Sequence, residues 1–225
     1  MFIGHFAVGS AAKRIAPKTS LGTLMVAPML LDGLWPIFLL LGWERVRVVP
    51  GNTAFSSLVF EYYPYSHSLA MAVVWGLLFA ALYWMRTRYG TGAVVIGLAV
   101  ISHWVLDVVV HGRDLPLYPG SAMLVGFGMW NSVAITLVVE GVMFAAGVWL
   151  YATMTKPRDL VGSIALWLFI ALLVALYLGA AFGPPPPSVK ALALTGLLGW
   201  LFPLWAWWID RHRVVCGSRR SVGLL

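Results

Sequence analysis

The chain has 225 residues, 61% of them hydrophobic and only 10% charged, with a mean hydropathy of +0.88. Soluble domains carry roughly a quarter charged residues, so this chain cannot coat a globule with solvated side chains and a soluble fold is excluded. The net charge of +7 does not point to nucleic acid, because the basic residues stand at the ends of apolar runs and form no patch interleaved with aromatics. The expected partner is a lipid bilayer.

Seven apolar segments follow one another. The first, Phe2–Ala12, is too short to cross a bilayer comfortably and is followed by Lys13, Arg14, Pro17 and Lys18. It has no basic residues ahead of it and does not read as a cleavable signal peptide. The second, Leu21–Gly42, contains Pro28, Asp32, Gly33 and Pro36, a set expected to break the helix. The connection Trp43–Ser66 is the longest, and Val46–Val49 with Ser57–Tyr62 could pair as a short hairpin. Leu69–Met85 follows, started by a Ser66 or Ser68 cap and ended by Arg86 and Arg88. Thr91–Val110, Ala122–Tyr151, Leu160–Phe182 and Ala191–Ile209 complete the series. The tetraproline Pro184–Pro187 is a stiff turn between the last two.

Six of these segments approach the ~20 residues a spanning helix needs. The expected fold is an all-α polytopic membrane protein with six transmembrane helices, a short N-terminal apolar helix and a cytoplasmic C-terminus. If the second segment starts inside, Lys13, Arg14, Lys18, Arg86, Arg88, Lys156, Arg158, Arg211, Arg213, Arg219 and Arg220 lie inside. Arg45, Arg47, Arg113 and Lys190 lie outside, an 11 to 4 division of the 15 basic residues that agrees with the positive-inside rule. The chain is one membrane domain: residues 1–114 hold the polar residues, 115–210 supply further helices, and 211–225 form a cytoplasmic tail. The single cysteine, Cys216, allows neither an intramolecular disulfide nor a cysteine-based metal site.

The polar residues inside the apolar segments carry the chemistry. His5, Asp32, His67, His103, Asp107, His111 and Glu140 stand in or against them, and no lysine or arginine stands inside a span to pair with the acids. An unpaired carboxylate in hydrocarbon costs several kcal/mol, and a divalent cation with imidazole co-ligands is an adequate partner. His103, Asp107 and His111 are spaced i, i+4, i+8 and share one helix face. Each residue also has a plainer reading. His5 could be interfacial, His67 a helix-start residue, and Asp32 a partner for backbone freed by the prolines. His103 and Asp107 could be a hydrogen-bonded pair that holds helices together, and Glu140 either a further ligand or a protonated packing acid. His212, in a basic tail, is expected to be solvated.

In chain order His5, Asp32, His67, His103-x3-Asp107 and His111 resemble the metal ligands of the zinc-dependent phospholipase C and P1 nuclease group. They are also similar to the YdjM-type membrane-bound metal-dependent hydrolases. The resemblance covers His5 to Asp114. It implies that His5, Asp32, His67, His103, Asp107 and His111 are ligands, that Asp107 bridges, and that Asp32 also orients the attacking water. This chain has Pro28-Met29-Leu30-Leu31-Asp32 where the YdjM type has Pro-Asp-x-Asp. It also lacks the later histidine motif of the soluble enzymes, and nothing in it suggests their amino-terminal ligand. One or two metals are therefore implied rather than three, zinc first, with manganese or iron also suited. The implied activity is hydrolysis of an amphiphilic phosphate ester, such as a phospholipid head group, in a bacterial cytoplasmic (inner) membrane. A divalent-cation or proton transporter and a non-catalytic membrane scaffold are the alternatives.

Overall fold

The structure, a computed structural model, describes residues 1–216. Arg219 and Arg220, counted above on the inner side, lie outside the described residues with the rest of the tail. Six helices are long and apolar enough to cross a membrane, as the hydropathy requires. The short helix α1 (Ile3–Ala12) precedes the first of them, α2 (Leu21–Leu40). A hairpin of β1 (Arg45–Val48) and β2 (Leu58–Tyr62) follows, then one turn of helix, α3 (Pro64–His67). The strands pair antiparallel with Val46 opposite Phe60, as the sequence suggested. Helices α4 (Leu69–Thr87) and α5 (Gly90–Val110) form an antiparallel pair. Their tight connection places Arg88 in the left-handed region, with φ 55°. Of the two cap candidates it is Ser68 that starts α4, its hydroxyl accepting from Met71 N at 3.3 Å.

Three expectations are corrected. The prolines do not break α2, which is continuous from Leu21 to Leu40. Each proline removes one ladder hydrogen bond, and the helix closes over both gaps. The fifth apolar segment is not helical from Ala122. It begins as a small antiparallel pair, β3 (Leu115–Pro116) with β4 (Leu124–Val125), and a 3-10 turn (Met129–Asn131), and only then enters α6 (Val133–Met154). Gly126 and Gly128 sit at φ 154° and 75°, values that a helix does not contain, so hydropathy alone misplaced the boundary. Nor do residues 213–215 belong to a free tail. The strand β6 (Arg213–Val215) pairs with β5 (Thr155–Pro157) beyond α6.

Helix α7 (Leu160–Phe182) is followed by a broken span, α8 (Val189–Leu197) and α9 (Leu201–Arg211). The break, a 3-10 turn at Leu198–Trp200, lies just before Pro203, whose ring has no N–H to offer the preceding turn. The centre of the molecule is α1. Its ten residues rise about 15 Å, half the thickness of a bilayer core, and eight of them are buried. It packs between α6 and α2 because small residues let backbones meet. A Cβ at Gly147 would lie 2.5 Å from the Ala7 carbonyl, and one at Gly9 would lie 2.8 Å from the Leu24 carbonyl.

Candidate metal centre

Four helical elements bring six side chains together near the hairpin end of the bundle. Helix α1 supplies His5, α2 supplies Asp32, α3 supplies His67, and α5 supplies His103, Asp107 and, as its C-cap, His111. All four histidines are buried, as is Asp107, while the Asp32 side chain remains 34% exposed. Every imidazole turns Nε2 inward. His5 Nε2 lies 3.1 Å from Asp107 Oδ1, and His103 Nε2 lies 3.1 Å from Asp107 Oδ2. His67 Nε2 lies 3.4 Å from Asp32 Oδ1, 3.3 Å from His103 Nε2 and 3.8 Å from Asp107 Oδ2. His111 Nε2 is 3.9 Å from the same Asp107 oxygen. The His5 ring lies flat on that of His103, with centroids 3.8 Å apart. Among the described residues, neither carboxylate has a lysine or arginine side chain as an ion-pair partner.

These atoms form two overlapping triads, His5–His103–Asp107 and Asp32–His67–His103, with the ligand atoms of each within 4.8 Å of one another. The arrangement fits divalent metal. Imidazole nitrogens and carboxylate oxygens converging from four helical elements are the donor set that such an ion needs. The amino nitrogen of Met1 lies 2.5 Å from Asp107 Oδ1.

The outer nitrogens of three histidines are held as well. His103 Nδ1 lies 2.6 Å from the Pro28 carbonyl of α2. His111 Nδ1 lies 3.1 Å from Asp114 Oδ1, which also accepts from the Tyr63 hydroxyl at 3.0 Å. Burial, with Asp114 beside it, pushes the Tyr63 phenol well above its ordinary range. His67 Nδ1 lies 2.7 Å from Ser66 Oγ, and Ser66 in turn faces Glu44. His5 Nδ1 is buried without a hydrogen-bond partner. Fixing the far nitrogen of a metal-ligating histidine orients the ring and selects its tautomer.

Glu44 is the residue the sequence hid. It sits in the long connection Trp43–Ser66, yet it is only 2% exposed. Its Oε1 accepts from Ser66 N at 2.7 Å and its Oε2 from Ser66 Oγ at 2.6 Å. Burial pushes this carboxyl above the ordinary glutamate range, and the bonds from Ser66 pull it back. Only the oddity of an acid directly after Trp43 could have drawn attention to it. Glu140 lies outside both groups of potential ligands and packs α6 against the start of α1. Its Oε2 accepts from Phe2 N at 2.8 Å and Gly4 N at 3.3 Å, so it caps α1 from α6. His212 pairs with Asp159 at 2.7 Å and lies far from the site in the β6 region.

A cleft of about 340 Å³ opens onto Asp32, His67, Asp107 and His111. Its walls are Trp35 of α2, Phe55–Leu58 and Phe60 of the hairpin, Trp130, Ala180 near the end of α7, and Gly183–Pro186 after it. The second half of the chain therefore does more than add apolar helices, because the tetraproline and Trp130 close one side of the cleft. No lysine or arginine is among the lining residues. Compared with family models, with curated proteins and with solved structures, the chain finds no match.

Proposed function

We propose that this protein is a membrane-embedded, metal-dependent hydrolase of phosphate esters, acting on an amphiphilic substrate such as a phospholipid. The observation that carries the reading is the convergence of four imidazole Nε2 atoms on two carboxylates that, among the described residues, have no lysine or arginine side chain as an ion-pair partner. His5, His103 and Asp107 would hold one ion, and Asp32 and His67 would offer a second pair of donors beside it. Such an ion supplies Lewis acidity, lowering the pKa of water towards neutrality and polarising phosphoryl oxygens. Zinc suits the donor set best, and manganese or iron(II) also fit it.

The chain's own groups divide the remaining work. Asp107 is buried between the histidines and turns one oxygen to His5 and the other to His103, His67 and His111. Asp32 faces the open cleft and is the group placed to accept a proton from an attacking water. Among the described residues no lysine or arginine lines the cleft, so the apolar walls receive the body of the substrate and its phosphate is left to the centre. Orientation with the hairpin end outside a bacterial cytoplasmic membrane and the opposite end in the cytoplasm accords with the basic residues at that opposite end.

A transporter reading is less well supported. Below the site, Ala27, Leu31, Ile96, Ala99 and Val100 are buried and apolar, and Leu24, Ala12 and Ala16 continue the seal. A cation path needs polar groups across that depth. The test is metal analysis of the detergent-purified protein, with hydrolysis measured on a phospholipid panel. Stoichiometric metal lost in His103→Ala and Asp107→Ala, with activity lost in parallel, is expected. Metal retained in both variants overturns the site. Metal flux into proteoliposomes without hydrolysis overturns the enzyme reading in favour of transport.

A further inference from the structure

Among the described residues, the buried Glu44 has no lysine or arginine partner, and the Ser66 hydroxyl joins it to His67. Proton counting along that link is decisive. Ser66 Oγ lies 2.6 Å from Glu44 Oε2 and 2.7 Å from His67 Nδ1, but a serine hydroxyl has a single proton to donate. The other acceptor in reach, the Tyr63 carbonyl, is at 3.5 Å, too long to compete. With Glu44 as carboxylate, Ser66 donates to Glu44 and accepts from His67 Nδ1–H. His67 Nε2 then carries a lone pair and faces Asp32 and Asp107. With the direction reversed, Ser66 donates to Nδ1, the ring proton moves to Nε2, and the nitrogen in the centre can bind no cation.

We propose that Glu44, acting through Ser66, is a positioning residue that fixes His67 as its Nδ1–H tautomer and so keeps Nε2 free for metal. The inference rests on the metal-centre reading above and adds a residue to it. It also ties the long connection to the centre. Glu44 N donates to the Phe38 carbonyl at the end of α2, and Ser66 N donates to Glu44, so the hairpin's two flanks are pinned together beside His67. A hairpin seated on the bundle and a correctly oriented ligand are then one structural state.

The test uses Glu44→Gln, Ser66→Ala and Ser66→Thr in the full-length protein in detergent, with zinc alone as the probe. A glutamine places an amide N–H₂ where Oε2 now accepts. Ser66 must then accept from it and donate to His67, reversing the relay. Nitrogen-15 spectra of the metal-free protein should show His67 as Nδ1–H in the parent and in Ser66→Thr, and as Nε2–H in Glu44→Gln. Zinc affinity should fall roughly 10–100-fold in Glu44→Gln and Ser66→Ala, the usual effect of losing such a partner, with Ser66→Thr close to the parent. If Glu44→Gln does not fold, Ser66→Ala carries the test, because it removes the hydroxyl and leaves the backbone bond to Glu44. An unchanged His67 tautomer in Glu44→Gln, or unchanged zinc affinity in Ser66→Ala, overturns the proposal. A tautomer that reverses in a protein that binds no zinc at all overturns the metal centre and leaves the relay standing.

Discussion

Glu140 and Phe2 are 138 positions apart, yet the Glu140 carboxylate accepts the Phe2 N–H at 2.8 Å and that of Gly4 at 3.3 Å. The free N–H groups at the start of a helix need acceptors, and α1 offers no side-chain cap of its own. An acid from α6 does this work, and in doing so it fixes the depth at which α1 carries His5. Glu140→Ala should therefore leave the buried Gly4 donor unpaired, costing about 1–3 kcal/mol, and the partly buried Phe2 donor as well, at less. Glu140→Gln retains an oxygen acceptor and should lose less. Thermal unfolding in detergent ranks the two, and zinc content reports whether His5 stays in place. Equal stability of the alanine variant and the parent would remove the capping role.

Asp32 and Asp107 should separate when each is neutralised. Asp107 is buried at the meeting point of all four histidines, whereas Asp32 touches only the Asp32–His67–His103 triad and opens to the cleft. Asp32→Asn is expected to lower phosphate-ester hydrolysis by roughly 10²–10⁴, the range for loss of a general base, while the His5–His103–Asp107 triad keeps its ion. Asp107→Asn is expected to empty both triads. Metal stoichiometry beside turnover distinguishes the cases. Full activity in Asp32→Asn would assign the base elsewhere.

The residues that were readable in the sequence are those whose reason is local. Hydropathy alone places the six spans, and the i, i+4, i+8 spacing of His103, Asp107 and His111 puts three site residues on one face of α5. His5, Asp32 and His67 were readable because a polar side chain in an apolar run is costly. What stayed hidden depends on partners distant in the chain. Glu44 looks solvated until Ser66, 22 positions later, closes over it. Lys13 looks like a cytoplasmic flank but is 3% exposed. The start of α6 was misplaced because Ala122–Phe127 is apolar enough for a helix, while the backbone at Gly126 and Gly128 forbids one.

Lys13 and Asp210 anchor the end of the bundle opposite the candidate metal centre. Lys13 Nζ lies 2.8 Å from Asp210 Oδ2 and 2.8 Å from the Thr19 carbonyl, and the same carboxylate oxygen accepts from Leu21 N at 3.2 Å. Lys13→Met leaves the carboxylate without its cation. Breaking a buried pair costs roughly 3–5 kcal/mol, and the 17% exposure of Asp210 places this case at the lower end. The double variant Lys13→Met/Asp210→Asn should recover much of the loss. Zinc content per folded molecule should not change, because the site lies at the other end of α1. Loss of zinc with unchanged stability would contradict this division of the helix.

Gly147 and Gly141 occupy the same helix but should respond oppositely to the same substitution. A Cβ at Gly147 would lie 2.5 Å from the Ala7 carbonyl and 2.7 Å from its Cα, both of them backbone atoms that cannot swing aside. At Gly141 nothing lies within 4 Å. Gly147→Ala must push α1 away from α6, at about 1–3 kcal/mol for overpacking of this kind. That shift also draws the α1 backbone from Glu140, so zinc affinity should fall with stability. Gly141→Ala removes helix-interior glycine without a clash and should be neutral or stabilising by about 0.4–1 kcal/mol. Thermal unfolding of both variants, read beside zinc titrations, checks the contrast. If Gly147→Ala binds zinc as tightly as Gly141→Ala, the seat of α1 on α6 does not set the position of His5.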